Sequence, residues 1–214
     1  MGQTRSHPAV KALIALVVLG VVGALFWYTL DDARAEPYAV RPAHLEGWVL
    51  TAPPPGDPDA ARLVLQPPAE LPMRLFRQVF SRAGESLSTP AVPGIALVLG
   101  GEIGGTAITS DELLALGHEA GLDRLTLEPR CVAYRRESQP GSTRQIYFVV
   151  FDMPEFARFR RDLAAKINAS AGATTVDPAR LSPVMPLAAA PDSSRWMPIV
   201  ADPERDCVAP IVIE

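Results

Sequence analysis

Ala12 to Leu30 is an unbroken run of uncharged, mostly apolar residues, entered through Lys11 and left through Asp31 and Asp32. A run of about 18 or more such residues is long enough to cross a bilayer core as one helix. In lipid that helix satisfies its own backbone hydrogen bonds, so Gly20 and Gly23 are tolerable within it. Trp27 and Tyr28 stand at its far end, where amphipathic rings settle at the headgroup layer, and they are read as membrane-interface residues. Everything downstream therefore has to fold behind a membrane-directing segment.

The flanking charges orient it. Arg5 and Lys11 precede the run with no acid before it, whereas Asp31, Asp32, Arg34 and Glu36 follow. The positive-inside rule then puts residues 1–11 in the cytoplasm as a short leader, 12–30 across the membrane, and the folded part outside, in the periplasm if the cell is bacterial. Ala33-Arg34-Ala35 offers a competing reading, in which the run is a signal peptide cleaved after Ala35 and the protein is secreted. Signal-peptide apolar cores span about 7–15 residues, shorter than this run, which favours a retained anchor. Both readings export the folded part.

Of 214 residues, 48% are hydrophobic and 21% charged, enough apolar material for a core. A net charge of -4 argues against a nucleic-acid partner, which usually meets a basic face. The chain has two cysteines, Cys131 and Cys207. In an oxidising compartment they are candidates for a disulfide closing a long loop, and their spacing carries no metal signature.

Beyond the anchor, residues 31–44 read as an extended tether containing Pro37 and Pro42. Residues 45–93 read as a small subdomain: the β-like runs 45–50 and 62–65 form a loose hairpin around a proline-rich turn. A helix then runs from Pro72 to Ala83, with Leu75, Phe76, Val79, Phe80 and Ala83 on one side and Gly84 as its stop. Residues 94–214 read as the main domain. Ile95–Leu99 is a buried strand, and Thr109-x-x-Glu112 is a capping box opening a helix with Leu113, Leu116, Gly117 and Ala120 inward. A second strand lies near 125–134, bent at Pro129, and a third at 145–151, the two forming a hairpin across a turn at 139–142. Asp152 caps a helix beginning near Pro154, whose core stripe is Phe156, Phe159, Leu163 and Ile167. Trp196–Val200 is the expected fourth strand, and 208–213 is one more. The order β-α-β-β-α-β predicts an α+β domain with a ferredoxin-like core. In that topology the second and fourth strands lie on opposite edges, so Cys131 and Cys207 meet only if the tail folds back across the sheet.

No catalytic constellation assembles from the residue pattern. Gly100-Gly101-Glu102-Ile103-Gly104-Gly105 follows a strand and precedes a helix, as phosphate-cradling loops do, but it lacks the Gly-Lys-Ser/Thr ending and the Gly-x-Gly-x-x-Gly spacing. His118, Asp123 and Cys131 are the only set from which a Cys/His nucleophile is conceivable. His7, His44 and His118 are scattered without ligand spacing, so neither a metal nor a cofactor is expected. Two arginine groups, Arg74, Arg77 and Arg82 on the first helix and Arg158, Arg160 and Arg161 on the last, form a candidate interaction face for anionic headgroups or an acidic partner. The expectation is a non-catalytic, membrane-anchored protein whose exported domain binds another protein, as an accessory subunit of an envelope or membrane complex. The alternatives are an exported or anchored hydrolase-like enzyme and a small-ligand or lipid-binding domain.

Overall fold

The apolar run is part of one continuous helix, α1 (Pro8–Ala35), of which Val10–Thr29 has a mean hydropathy of 2.4 and no burial against the rest of the protein. This computed structural model describes residues 8–54, 58–84, 86–90, 93–139, 142–169, 176–190 and 200–214. After α1 come β1 (Tyr38–Val40), a 3-10 turn (Pro42–Leu45), β2 (Val49–Thr51), β3 (Ala61–Gln66), α2 (Glu70–Ala83), β4 (Ile95–Leu99) and the one-turn α3 (Gly100–Ile103). Then follow α4 (Ser110–Glu119), β5 (Glu128–Gln139), β6 (Ser142–Asp152), α5 (Pro154–Ala169), β7 (Val184–Ala189), the one-turn α6 (Pro203–Asp206) and β8 (Cys207–Ile213).

The strands form two sheets, one ordered β1-β8-β5-β6-β7 and the other β2-β3-β4. This is an α+β arrangement, and it corrects the ferredoxin-like expectation. That topology needs β4 inside the larger sheet, between β6 and the strand that follows α5. Instead β4 pairs antiparallel with β3, Leu65 opposite Ile95 and Val64 opposite Ala96. The vacant place is closed because β7 pairs directly with β6, Val149 opposite Met185. The boundary read at 93/94 therefore runs through the smaller sheet.

The strand after α5 is also not the expected one. Trp196–Ile199 lies outside the described residues, Val200 is not in a strand, and the pairing segment is Val184–Ala189. Pro186 hides it in the sequence. It is accommodated because β7 is the last strand of its sheet, and Pro186 faces Phe148 beside a register irregularity. Pro129 is handled similarly: β5 is one strand from Glu128 to Gln139, with its irregularity between Pro129 and Cys131.

Residues 31–44 are not a free tether. The helix persists to Ala35, and after Glu36 and Pro37 the chain enters the sheet as β1, parallel to β8 with Tyr38 opposite Ile211 and Val40 opposite Ile213. Tyr38 and Val40 are 1% and 0% exposed, so this short strand is core. Strand alternation then divides the larger sheet into two faces. Val132, Tyr147, Val149, Phe151, Met185 and Leu187 join the main core with both sheets and α2, α4 and α5. Cys131, Ala133, Phe148, Val150 and Val184 form a smaller cluster, which Ala201 and Cys207 flank.

The helices follow their stripes with one correction. On α2 the buried residues are Leu71, Leu75, Val79 and Ala83, an i,i+4 row, whereas Phe80 is 52% exposed. Burying a leucine contributes about 1.5–3 kcal/mol, and Leu71 enters because α2 starts at Glu70, earlier than Pro72. Gly84 closes α2 in the left-handed region at φ 64°, as a C-terminal stop requires. On α4 the capping box forms as expected: Glu112 N–H donates to Thr109 Oγ1 (3.2 Å) and Thr109 N–H to Glu112 Oε2 (2.8 Å). On α5 Phe156, Phe159, Leu163 and Ile167 are all buried. Asp152 closes β6 and stands 3.9 Å from Arg130.

Gly94, just before β4, sits where backbones meet closely. A Cβ there would lie 2.5 Å from Val64 Cγ1 and 3.0 Å from the Leu65 carbonyl. Because one of those atoms is backbone, relief has to come from the β3–β4 pairing itself. Gly94→Ala is therefore expected to lower stability by about 1–3 kcal/mol, read as a lower urea midpoint at unchanged slope.

Candidate functional site

The six arginines marked as an interaction face separate into three groups. Arg74 and Arg82 bind the chain leaving α1. Arg82 donates to the carbonyls of Glu36 (2.5 Å) and Pro37 (3.1 Å), and its guanidinium lies 4.2 Å above the Tyr38 ring. Arg74 Nε donates to the Ala39 carbonyl at 3.1 Å. Between them Gln78 pairs with both backbone groups of Ala39, accepting from its N–H and donating to its carbonyl at 3.0 Å each. The amide thus occupies the outer edge of β1, the place where another strand would add. These two arginines are structural, and their spacing on α2, facing β1, is what the sequence alone did not disclose.

Arg160 is a second correction. It is 0% exposed, and its guanidinium grips Glu102, Nη1 to Oε2 at 2.9 Å and Nη2 to Oε1 at 2.5 Å. It also donates to the carbonyls of Leu97 (3.3 Å) and Asp177 (2.5 Å). Glu102 in turn accepts the Leu99 N–H at 2.9 Å. The helical spacing carries a signal for this: Arg160 lies four residues after Phe156 and three before Leu163, on the inward side.

Arg77, Arg158 and Arg161 remain exposed. Arg77 opens onto a groove of about 620 Å³ shared with His44, Glu70, Met73, Arg74 and Gln78. His44 Nδ1 accepts the Arg41 N–H, and its Nε2 stands 3.5 Å from Glu70. Arg158 lines a groove of about 370 Å³ between α4 and α5, with Leu116, Glu119, Phe159 and Asp162. Trp27 and Tyr28 are 73% and 71% exposed on α1.

The glycine-rich loop does not form a phosphate cradle. The Gly100 N–H donates to the Ala60 carbonyl (2.9 Å) and the Gly101 N–H to that of Pro58 (2.6 Å), while the Leu99 N–H is taken by Glu102. The amides at the start of α3, where an anion would sit, are thus engaged at Leu99, Gly100 and Gly101. His118 Nδ1 pairs with Asp123 Oδ2 at 3.0 Å, but Cys131 is buried beside Cys207, so no Cys/His nucleophile is assembled. Burial acts to raise the Asp123 carboxyl pKa, and the hydrogen bonds from His118 and from its own backbone outweigh it, leaving it below the usual carboxylate range. Among the described residues no cluster of three or more His, Cys, Asp or Glu is placed to hold a metal ion.

Cys131 and Cys207 lie at disulfide distance, Cα to Cα 5.8 Å. The apparent topological conflict disappears because β8 pairs with β5, Cys131 opposite Pro210 and Ala133 opposite Cys207. Beside the pair, Asp206 is ion-paired to Arg135 and accepts the Asp202 N–H at 2.9 Å, while Arg135 also donates to the Val200 carbonyl at 2.8 Å. Burial works to raise the Asp206 carboxyl pKa, but the Asp202 N–H and Arg135 together hold it below the usual range.

Two outcomes follow. A depressed folded-state pKa stabilises the fold above the unfolded aspartate value of about 3.9, and that contribution is lost as pH falls through the folded value. The thermal midpoint is therefore expected to drop below about pH 4, and Asp206→Asn to flatten that drop in a pH series of melts. Separately, Glu102→Gln leaves the Arg160 charge buried without its counter-ion and is expected to cost about 3–5 kcal/mol, whereas Glu102→Leu with Arg160→Met recovers much of it, read from urea midpoints of the three chains. Comparison of the chain with protein-family models, with curated proteins and with solved structures returned no match.

Proposed function

We propose that the protein is a single-pass, membrane-anchored binding subunit whose exported domain is held close to the bilayer and engages another protein of an envelope or membrane complex. The observation that carries the reading is the bare helix Val10–Thr29 joined to the sheet through Glu36 and Pro37. A twenty-residue stretch of mean hydropathy 2.4 with no burial in its own fold needs another apolar medium. The Cys131–Cys207 pair suits an oxidising compartment outside the cytoplasm. The exposed arginines on α5, Arg158 and Arg161, offer a face to an acidic partner.

A second reading has its own support. All strand pairings begin at Tyr38, so cleavage after Ala35 would leave the sheets intact and release a secreted domain.

Purification of the full chain from membranes in mild detergent, with intact-mass measurement of it and of co-purifying proteins, separates the two. The anchored-subunit reading expects a chain that retains residues 12–30, carries a mass 2 Da below the reduced form, and brings a stoichiometric partner. A solitary chain beginning at Glu36 overturns it in favour of secretion.

A further inference from the structure

β8 fills the place between β1 and β5 in the larger sheet, yet its own side chains do little to hold it there. Ala209 and Ile211 are buried, Cys207 and Val208 are half-buried, and Pro210, Val212 and Ile213 are exposed. Ala209 carries a single methyl group, so Ile211 supplies most of the strand's apolar burial. The ladder is equally thin. β8 meets β5 at three register positions, with an irregularity between Val132 and Ala133, and Pro210 has no N–H to give either neighbour. On its other side it meets β1 in parallel, the weaker pairing per residue, again at three positions.

Its neighbours have other supports. β1 is held from α2 by Gln78, Arg74 and Arg82. β5 pairs with β6 along its length, from Glu128 opposite Asp152 to Gln139 opposite Ser142. At the root of β8, Asp206 is fixed by its ion pair with Arg135 and by the Asp202 N–H at 2.9 Å. Cys207 lies at one end of the β8–β5 ladder and Cys131 at the other, so the bond between them crosses the whole seam. Cys131 is 3% exposed and Cys207 half-buried, so the sulfur open to an attacking thiolate is that of Cys207.

We propose that the Cys131–Cys207 bond is a redox-operated catch: a dithiol opens it, and β8 then comes off the sheet about Asp206 while the rest of the domain stays folded. A thiolate of the dithiol attacks Cys207 Sγ, the S–S bond breaks, and its electron pair leaves on Cys131 Sγ, which takes up a proton. The second thiolate of the dithiol attacks the mixed disulfide, Cys207 Sγ leaves and takes up a proton, and the reductant departs as its own disulfide. Two electrons and two protons have then passed to the protein. Opening bares the edge of β5 at residues 131–133 and the inner edge of β1, and oxidation closes both. The catch works alike in an anchored and in a cleaved chain, because every strand involved begins at or after Tyr38.

The test follows amide hydrogen exchange, by peptide mass, in the full chain in mild detergent with and without dithiothreitol as the dithiol. Reduced protein is expected to exchange at least about tenfold faster in peptides covering residues 207–213, and within about twofold of the oxidised rate in those covering β7 and α5. Removal of the dithiol and treatment with oxidised glutathione is expected to restore slow exchange at 207–213. Unchanged exchange there once both thiols are free overturns the inference, since pairing alone then holds β8. Equal acceleration throughout the domain overturns it too, since the bond is then a staple of the whole fold. So does a bond that dithiothreitol opens only in denaturant, or protection that oxidation fails to restore.

Discussion

The buried pair of Arg160 and Glu102 is the interaction on which the two-sheet arrangement depends. Arg160 projects from α5, the helix between β6 and β7 of the larger sheet, yet it bonds the Leu97 carbonyl of β4 in the smaller one. Glu102 meets it from α3, immediately after β4, and the Asp177 carbonyl receives it from the approach to β7. One guanidinium thus joins three segments that no strand pairing connects. Desolvating two charges is costly, and an apolar substitute is often as stable. What the pair adds is direction: its planar, bidentate geometry accepts one arrangement of α3 against α5, where an apolar contact accepts several.

How much of this was legible in the sequence follows from the range of the interactions involved. The capping box of α4, the stop at Gly84, the stripe of α5 and the β5–β6 hairpin are local, set by residues a few positions apart, and each stands where it was expected. The partner of β4 is not local. An apolar run such as Ile95–Leu99 states that a strand is buried, and nothing in it selects β3 over β6. β7 was obscured by Pro186 and by the alanines that follow it, because strand preference reflects packing as much as composition.

The candidate site shows the same division. Arginines on a helix read as a charged surface, and for Arg77, Arg158 and Arg161 that holds. For Arg74 and Arg82 the deciding fact is a strand that the proline-flanked segment 36–42 conceals, while Arg160 needed its counter-ion in a loop of glycines. The disulfide was read from compartment logic rather than geometry. Its feasibility came from β8 lying beside β5, a pairing between distant parts of the chain.

The parallel seam between β1 and β8 also sets the order in which the protein matures. Tyr38 leaves the ribosome 173 residues before its strand partner Ile211. Long-range pairing has to overcome chain entropy before it is rewarded, so this seam closes late. Until then the edge of β5 that β8 will cover stays open, exposed to neighbouring unfinished chains. The Gln78 amide, by holding Ala39 from the other side, gives the waiting strand a provisional partner within reach much earlier in synthesis.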